Sequence, residues 1–351
     1  MVKILHGADL HLDSAFTALD RDKAAERRAH QRTLVQKIVE IGNEEKVDLI
    51  LLSGDMFDSK NAFGNTAEAL SRAFEKSNAR IFISPGNHDP FTPESPYNMA
   101  VFGENVHVFK SDRIEKVEIP ELNCVVYGAG FVSASCEKPL LEDFCAEDEG
   151  VKIMVLHGEV TNQPSKYNPI SIAQIEKSNL NYLALGHIHA TDGVCKAGNS
   201  YYAYAGAPEG RGFDETGDKG IYIGTVGEQG VNLEFRKISP YTYTECIINV
   251  KNNDVESALD GDHSFDVRRV ILEGEIESID VKALLNKYEK NFYNLTILDR
   301  TTPPVDLWEG LEEDSLKGIF LRKLKALDID EEICEMAARY GVAAIENKEG
   351  V

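Results

Sequence analysis

Residues 48–58 read DLILLSGDMFD, and this stretch decides the fold class. Its first half is a short apolar run typical of a strand buried on both faces, and its second half turns abruptly to glycine and two aspartates. Four other stretches share this pattern of an apolar strand followed at once by polar residues: VKILHGADLH at 2–11, RIFISPGNHD at 80–89, VKIMVLHG at 151–158 and NYLALGHIH at 181–189.

Helices are predicted between these strands, at residues 22–43, 65–77 and 171–178. Nearly continuous apolar strands that alternate with helices predict a layered α/β fold with two central β-sheets flanked by helices. The short strands predicted later follow one another without helices, which indicates that one sheet is completed by antiparallel pairs. These later strands lie near 193–196, 201–205, 219–225 and 231–238.

The domain organisation is predicted from length and from a change of pattern after Pro240. At roughly 150 residues per domain, the 351 residues suggest about two domains. We expect the main α/β domain at 1–240, a small β-α-β-α-β capping domain at 241–300, and a linker with a helical tail at 301–351. The tail begins with TTPP at 301–304, and Gly341 is the expected C-cap of its last helix.

Composition and charge limit the classes of function. The chain has 37 Lys and Arg against 59 Asp and Glu, a net charge of −22, which opposes binding to polyanions. No apolar run approaches the roughly 18 residues of a membrane span, and the start of the chain turns polar too soon for a signal peptide. The six cysteines contain no CxxC pair and fit reduced thiols. We therefore expect a cytoplasmic protein that does not enter a membrane.

The polar residues after the strands are typical metal ligands. Ligands bind at the carboxyl ends of strands in open α/β sheets, so five such loops can build one site. Asp, His and Asn without Cys favour Mn²⁺, Fe²⁺ or Zn²⁺, and two ions about 3.5–4 Å apart can clamp a phosphoryl group and activate a water. Each block alone has a structural interpretation, such as a turn with a side-chain cap. Together and in this order they predict a two-ion site.

The motifs resemble those of the calcineurin-like metallophosphoesterase superfamily. They are D-x-H at 9–11, G-D-x-x-D at 54–58, G-N-H-D at 86–89, H-G at 157–158 and G-H-x-H at 186–189. The surrounding sequence is similar to the SbcD-type DNA repair exonuclease branch, and above all to its YhaO-like bacterial members. This likeness rests on ILHGADLHLDS at 4–14, LALGHIH at 183–189 and YAGAPEGRGFDE at 204–215, and it covers residues 1–240. For residues 241–351 only the layout is similar.

The resemblance implies a role for each motif residue. One ion would be held by Asp9, His11 and His189, the other by Asn87, His157 and His187, with Asp55 bridging both. His88 would lie near the scissile phosphate and stabilise its charge or protonate the leaving oxygen. Asp89 would either orient His88 or cap the turn. Asp58 stands where archaeal and eukaryotic relatives usually have histidine, and we expect it to orient a ligand.

The resulting hypothesis is a two-metal phosphodiester hydrolase, namely a Mn²⁺-dependent DNA exonuclease acting in DNA repair. A hydroxide held between the ions attacks phosphorus in line, and His88 assists the leaving oxygen. Mn²⁺ is the ion that the resemblance favours, and the ligand types also allow Fe²⁺ or Zn²⁺. Candidate substrate-binding residues are Arg211 and Phe213 in the GRGF turn, Arg27 and Arg28 among the basic residues of the first helix, and Tyr167. Each of these also has an ordinary interpretation as helix surface, loop or rim.

The resemblance also implies partners: DNA, a second copy of the chain, and an SMC-like coiled-coil ATPase of the YhaN or SbcC type. The apolar stripe of the helical tail is expected to dock a partner or, as we favour, the chain's own capping domain. The stripe comprises Leu316, Ile319, Phe320, Leu324, Leu327, Ile333 and Met336. Two alternatives stay open. One is a phosphoesterase for small molecules or phosphoproteins, which the acidic balance favours. The other is a non-catalytic scaffold, which the complete ligand set opposes.

Overall fold

The computed structural model describes residues 1–59, 62–304 and 306–346. Its strands are β1 (Val2–Gly7), β2 (Leu49–Leu52), β3 (Arg80–Ile83), β4 (Val106–Val108), β5 (Glu115–Ile119), β6 (Cys124–Gly128), β7 (Val151–His157), β8 (Glu159–Val160), β9 (Pro169–Ile170), β10 (Tyr182–Gly186), β11 (Cys195–Ala197), β12 (Ser200–Tyr204), β13 (Gly220–Gly227), β14 (Gly230–Lys237), β15 (Thr242–Asn249), β16 (His263–Glu273) and β17 (Phe292–Asp299). Its helices are α1 (Arg21–Glu44), α2 (Gly64–Phe74), α3 (Ile172–Lys177), α4 (Val255–Leu259), α5 (Val281–Tyr288), α6 (Leu316–Lys325) and α7 (Glu331–Ile345). Within these described ranges, the helices are all too short or too polar to cross a membrane.

The first central sheet has the order β14-β13-β1-β2-β3-β4. Strands β1 to β4 are parallel, whereas β13 pairs with β1 in antiparallel register and β14 continues that pairing. Leu5 and Ile50 belong to the same buried cluster as Ile38 of α1 and Leu70 of α2. One face of this sheet is therefore covered by helices. The side chain of Asp20 caps α1 by accepting hydrogen bonds from the first backbone amides of the helix.

The second central sheet has the order β11-β12-β10-β7-β6-β5. Strands β6, β7, β10 and β12 are parallel, and β5 and β11 complete the edges in antiparallel pairing. Ile153 and Val155 share a buried cluster with Ile4 and Leu51 of the first sheet, so the two sheets pack face to face. The opposite face of the second sheet packs against α3. The layers run helix, sheet, sheet, helix, which confirms the predicted layered α/β fold.

The chain forms two compact units, which we describe separately. The first comprises Met1–Glu245, Asp262–Arg269 and Glu289–Leu295, and the second comprises the remaining described residues. Strands β15, β16 and β17 form a three-stranded sheet in that order. In the second unit α6 packs on α7 through a small core of Leu321, Leu324 and Ala338.

Two local features differ from the sequence predictions. Gly341 does not end a helix, because α7 continues to Ile345. A side chain at Gly341 would collide with the ring of Phe320, so this glycine serves the close approach of α6 and α7. The parallel pair β8 and β9 was not predicted either, because strands of two residues carry no periodic pattern.

Candidate metal centre

The polar blocks meet because each follows the carboxyl end of a parallel strand. Strands β1, β2 and β3 are neighbours in the first sheet, and β7 and β10 are neighbours in the second. The facing sheets place the loops after these strands at one edge. The structure brings together there all seven predicted metal-binding residues: Asp9, His11, Asp55, Asn87, His157, His187 and His189.

One group of donors comes from Asp9, His11 and His189. Their ligand atoms all lie within 4.8 Å of one another. His11 Nε2 and His189 Nε2 are 3.1 Å apart. This is the spacing of adjacent ligands around an ion bound at about 2.1 Å. The geometry therefore suits one divalent cation facing these three side chains.

The second group comes from Asn87, His157 and His187. Asn87 Oδ1 lies 3.0 Å from His157 Nε2 and 3.2 Å from His187 Nδ1. The His157 and His187 rings are nearly perpendicular, with their centroids 5.2 Å apart. One oxygen and two ring nitrogens therefore converge on a second point.

The carboxylate of Asp55 stands between the two groups. Its Oδ2 atom lies 3.6 Å from His11 Nε2 and 3.4 Å from His157 Nε2. Its Oδ1 atom accepts a hydrogen bond of 2.9 Å from the backbone N–H of His88. Asp55 is thus held at one oxygen and faces a donor of each group with the other, which is the position that a bridging ligand requires.

Two of the imidazoles are fixed from behind. His157 Nδ1–H donates to the carbonyl oxygen of Ser53 at 2.9 Å. His11 Nδ1 lies 3.1 Å from Asp58 Oδ1. In both rings the outer nitrogen is engaged and Nε2 points to the centre, which is how metal-binding histidines are oriented in proteins. Asp58 therefore contacts the outer nitrogen of a predicted ligand, and its role in orienting that ligand stays a prediction.

The backbone around the centre is unusual. Asp9, His11 and Asp55 adopt left-handed φ angles of 51°, 43° and 49°, and φ of His187 is 106°. Such conformations cost about 1–3 kcal/mol each and concentrate at functional sites. At Gly86, a Cβ atom would collide with the Asp55 side chain. The glycine in this motif therefore allows the close approach of two loops.

Burial and neighbouring charges set the protonation of the donors. Burial, with a contribution from Asp55, raises the pKa of Asp9 to about 6. Burial lowers the pKa of His11 and of His187 to about 4, so both imidazoles are neutral at neutral pH and available as ligands. Burial opposes ionisation of Asp55, but the electrostatic interactions of its carboxylate with the His157 and His11 side chains outweigh burial and keep the pKa of Asp55 below its usual value.

This donor set fits two divalent cations. It combines carboxylate, amide and imidazole donors without thiolate, which suits Mn²⁺, Fe²⁺ or Zn²⁺. Asp9 and Asp55 are buried carboxylates close to each other, and a cation among them would favour their ionised forms.

His88 lies at the exposed rim of the centre. Its ring is nearly perpendicular to that of His11, with centroids 4.7 Å apart, and its Nδ1 atom donates to the carbonyl oxygen of Asp58 at 2.9 Å. Asp89 does not orient this ring. Its buried carboxylate accepts hydrogen bonds from the backbone N–H groups of Phe57 and Gly86 and from the hydroxyl of Tyr97. Of the two roles expected for Asp89, the contacts show the turn cap.

Arg27, one of the basic residues expected to contact phosphate, is fully buried. Its guanidinium pairs with Glu209 and lies 3.7 Å from the ring centroid of Tyr241. The prediction of a phosphate contact at Arg27 is therefore wrong, because this side chain is enclosed by its partners. Arg28 is half-buried and donates to the carbonyl oxygen of Ala15 at 3.3 Å, and its role in substrate binding stays a prediction.

The remaining substrate-binding candidates take different positions. Arg211 contacts the centre, with Nη1 2.9 Å from Asp58 Oδ1. The Phe213 ring packs edge-on against Tyr243, and its face is covered by the Arg269 guanidinium at 3.8 Å. The partly exposed ring of Tyr167 lies over His187, with centroids 4.7 Å apart. Tyr167 is thus a rim residue beside the donors.

Sequence reasoning assigned no role to Glu215. This buried carboxylate lies 2.8 Å from His189 Nδ1 and fixes that imidazole from behind. Burial opposes protonation of His189, but the hydrogen bond to Glu215 outweighs it and raises the pKa of His189. The stretch GRGFDE, where a glutamate follows an arginine by four residues, indicates a pair between Arg211 and Glu215 and carries no signal for the contact with His189.

The chain is similar to one protein family and to several curated relatives. The family model described as calcineurin-like phosphoesterase matches residues 2–191. Uncharacterized metallophosphoesterase YhaO of Bacillus subtilis is 29% identical over 262 residues, which are 70% of this chain and 62% of that protein. DNA double-strand break repair protein Mre11 of Saccharolobus solfataricus is 26% identical over 336 residues, 87% of this chain and 84% of that protein. The SbcD component of the nuclease SbcCD of Bacillus subtilis is 23% identical over 256 residues, 62% of this chain and 64% of that protein. The chain thus spans less than two thirds of the length of two of these relatives.

Proposed function

Because the chain belongs to the calcineurin-like phosphoesterase family, we propose that it hydrolyses phosphodiester bonds of DNA as a Mn²⁺-dependent exonuclease of the SbcD-type branch. One observation carries the proposal. Seven oxygen and nitrogen donors converge in two groups that share Asp55, and the exposed imidazole of His88 stands beside them.

The chemistry divides between the ions and the chain. When bound, two divalent cations stabilise charge on the phosphate oxygens and supply a nucleophilic water at neutral pH. Asp9 and Asp55 provide negative charge at the centre, and the Ser53 carbonyl keeps the Nε2 atom of His157 directed at it. Because His88 Nδ1 donates to a carbonyl oxygen, a proton for the leaving oxygen would come from Nε2 of the doubly protonated imidazolium, which becomes the neutral Nδ1–H form.

The choice of DNA as substrate rests on the relatives and on the local charge. One relative is named for DNA double-strand break repair and another as part of a nuclease. Two bound cations would offset the negative charge of the carboxylates at the centre. A chain of net charge −22 can therefore still hold a phosphate there. A role in DNA repair follows from the same likeness and is part of the proposal.

The test uses purified chain that has been stripped with chelator and reloaded with Mn²⁺. It is incubated with end-labelled single-stranded and double-stranded DNA, and in parallel with an aryl phosphodiester. We expect Mn²⁺-dependent release of nucleotides from DNA ends, lost in Asp55→Asn and reduced about 10²–10⁴-fold in His88→Ala. His107→Ala is the matched control, because this partly exposed imidazole pairs with Glu115 on β5.

Each result has a distinct meaning. Cleavage of both DNA and the aryl diester that requires Mn²⁺ and His88 supports the nuclease. Full DNA cleavage in Asp55→Asn contradicts the bridging role of Asp55. Failure to cleave any phosphoester with Mn²⁺, Fe²⁺ or Zn²⁺ bound contradicts the catalytic proposal as a whole.

A second candidate function is a phosphoesterase for small molecules or phosphoproteins. It is favoured by the acidic composition and by the enclosure of Arg27, which removes one cation from the expected path of a nucleic acid. Cleavage of the aryl diester without cleavage of DNA would support it. Adding a phosphomonoester and a phosphopeptide to the same assay separates its two forms.

We also propose a homodimer and an SMC-like coiled-coil ATPase as partners. In support, several apolar side chains of the α6 and α7 region are exposed: Leu316, Ile319, Leu327, Ile333 and Met336. Two members of the predicted stripe are not free: Leu324 is buried in the small core between these helices, and Phe320 is partly buried and packs against that core. Light scattering of the chain alone tests the dimer. To test the ATPase partner, an SMC-like ATPase of the same organism is co-expressed with the wild-type chain and with the variants Ile333→Asp and Met336→Asp. Binding of the ATPase is then compared between the wild type and the variants.

A further inference from the structure

Arg211 joins two carboxylates that come from different loops. Its Nη1 atom donates to Asp58 Oδ1 at 2.9 Å, and its Nε atom donates to Glu215 Oε1 at 3.1 Å. The backbone N–H of Arg211 also donates to Glu215 Oε2 at 3.0 Å. The side chain of Arg211 is only 17% exposed and that of Glu215 only 5%. This is a largely buried two-sided contact that fixes the guanidinium in one orientation.

Each of the two carboxylates holds one imidazole of the same donor group. Asp58 contacts Nδ1 of His11 at 3.1 Å, and Glu215 contacts Nδ1 of His189 at 2.8 Å. The Nε2 atoms of these imidazoles are the pair that lies 3.1 Å apart. The guanidinium therefore ties together two carboxylate-imidazole pairs whose free nitrogens face one point.

We propose that Asp58, Arg211 and Glu215 form a clasp that positions His11 and His189 and sets the affinity of the ion held by them. This inference rests on the two-cation part of the proposed function. The clasp acts on one ion position only. At the other position, the outer nitrogen of His157 is held by the backbone carbonyl of Ser53.

The difference between the two positions has a physical reason. A carboxylate behind an imidazole raises its basicity and fixes its tautomer, and loss of such a partner typically weakens metal binding 10–100-fold. Arg211 is needed because two carboxylates and a neighbouring Asp9 would otherwise repel one another in a largely buried site. Lysine cannot replace it, since one ammonium group does not bridge two carboxylates with the fixed geometry of a guanidinium.

The experiment measures Mn²⁺ binding to the metal-free full chain by isothermal titration calorimetry, with no substrate present. We expect two binding events in the wild type. Glu215→Gln and Arg211→Lys should weaken one event about 10–100-fold and leave the other unchanged. Asp58→Asn, at the other end of the clasp, should weaken the same event. Asp214→Asn is the matched control, because it removes an exposed carboxylate from the neighbouring position of the same loop.

An Asn87→Ala background identifies the affected position. This change removes a donor of the group that the clasp does not touch, so the binding event that remains should be the one that Glu215→Gln weakens. Equal weakening of both events by Glu215→Gln and Asp58→Asn, or unchanged affinities in these variants with circular dichroism matching the wild type, would overturn the clasp. Absence of two Mn²⁺ events in the wild type would contradict the proposed function instead.

Discussion

His6 on β1 and Tyr182 on β10 are joined by a contact of 2.8 Å between Nδ1 and Oη, which links the two central sheets. Both side chains are fully buried. Ser53 Oγ lies 3.1 Å from the other ring nitrogen of His6, and the carbonyl of Ser53 orients His157. A chain of polar contacts thus runs from the interface of the sheets to a predicted metal-binding residue.

Removing the hydroxyl in Tyr182→Phe should destabilise the fold. The change leaves a buried nitrogen of His6 without its partner, and we expect the free energy of unfolding to fall by about 1–3 kcal/mol. Urea denaturation measures this difference. Tyr201→Phe, at a half-buried tyrosine of β12, is the control and should change it by less than about 0.5 kcal/mol. Equal stability of Tyr182→Phe and the wild type would show that the contact contributes nothing.

His6 should make the protein sensitive to acid. Burial lowers the pKa of His6 to about 3, whereas an unfolded chain has a histidine pKa of about 6.5. Between these values the unfolded state binds more protons, so this contribution to stability is complete above the unfolded pKa and is lost as pH falls towards the folded one.

The test compares His6→Gln with the wild type in urea denaturation at several pH values from about 4 to 7, the range in which an unfolded histidine takes up its proton. The wild type should lose up to about 1.4 kcal/mol more per pH unit below about pH 6 than the variant does. The slopes are compared, because the variant can differ in stability at every pH. Parallel slopes would mean that His6 does not enter the fold as a neutral imidazole.

The layers and the donors could be predicted because their signals are local. Leu49 and Leu51 face the second sheet while Ile50 and Leu52 belong to the cluster under the helices, so burial on both faces makes the run continuously apolar. Since the donors follow such runs directly, strand prediction also placed them at one edge. The contacts that these donors and the nearby charged residues make with distant parts of the chain could not be predicted in this way.

Arg27 shows why. The sequence presents it as one of several basic residues on a helix, but its partner Glu209 and the covering ring of Tyr241 come from distant parts of the chain. The role of Glu215 likewise depends on His189, which reaches it only through the fold. Contacts between residues far apart in sequence leave no periodic signal, so both a buried ion pair and a ligand's partner escaped prediction.

Gly86→Ala should disrupt the metal centre indirectly, through the loop that carries Asp55. The added methyl group would overlap the Asp55 side chain and backbone, so the two loops must separate. We expect a loss of about 1–3 kcal/mol in unfolding free energy together with weaker Mn²⁺ binding. Gly64→Ala is the control, because a Cβ atom there meets no other atom within 4 Å at the start of α2. Normal Mn²⁺ affinity in Gly86→Ala would show that the loops tolerate the separation.

Removing metal ions should lower the stability of the folded chain. Asp9 and Asp55 are buried close together, and burial, with a smaller contribution from Asp55, raises the pKa of Asp9 to about 6, so keeping Asp9 ionised there without a cation is unfavourable. Cations that bind only the folded state stabilise it by about 2.7 kcal/mol per site at a hundredfold excess over Kd. The unfolding free energy should therefore rise with Mn²⁺ concentration and fall on chelation, and the rise should be much smaller in Asp55→Asn. A stability that does not change with Mn²⁺ in the wild type would contradict cation binding at this centre, because binding confined to the folded state must shift the equilibrium.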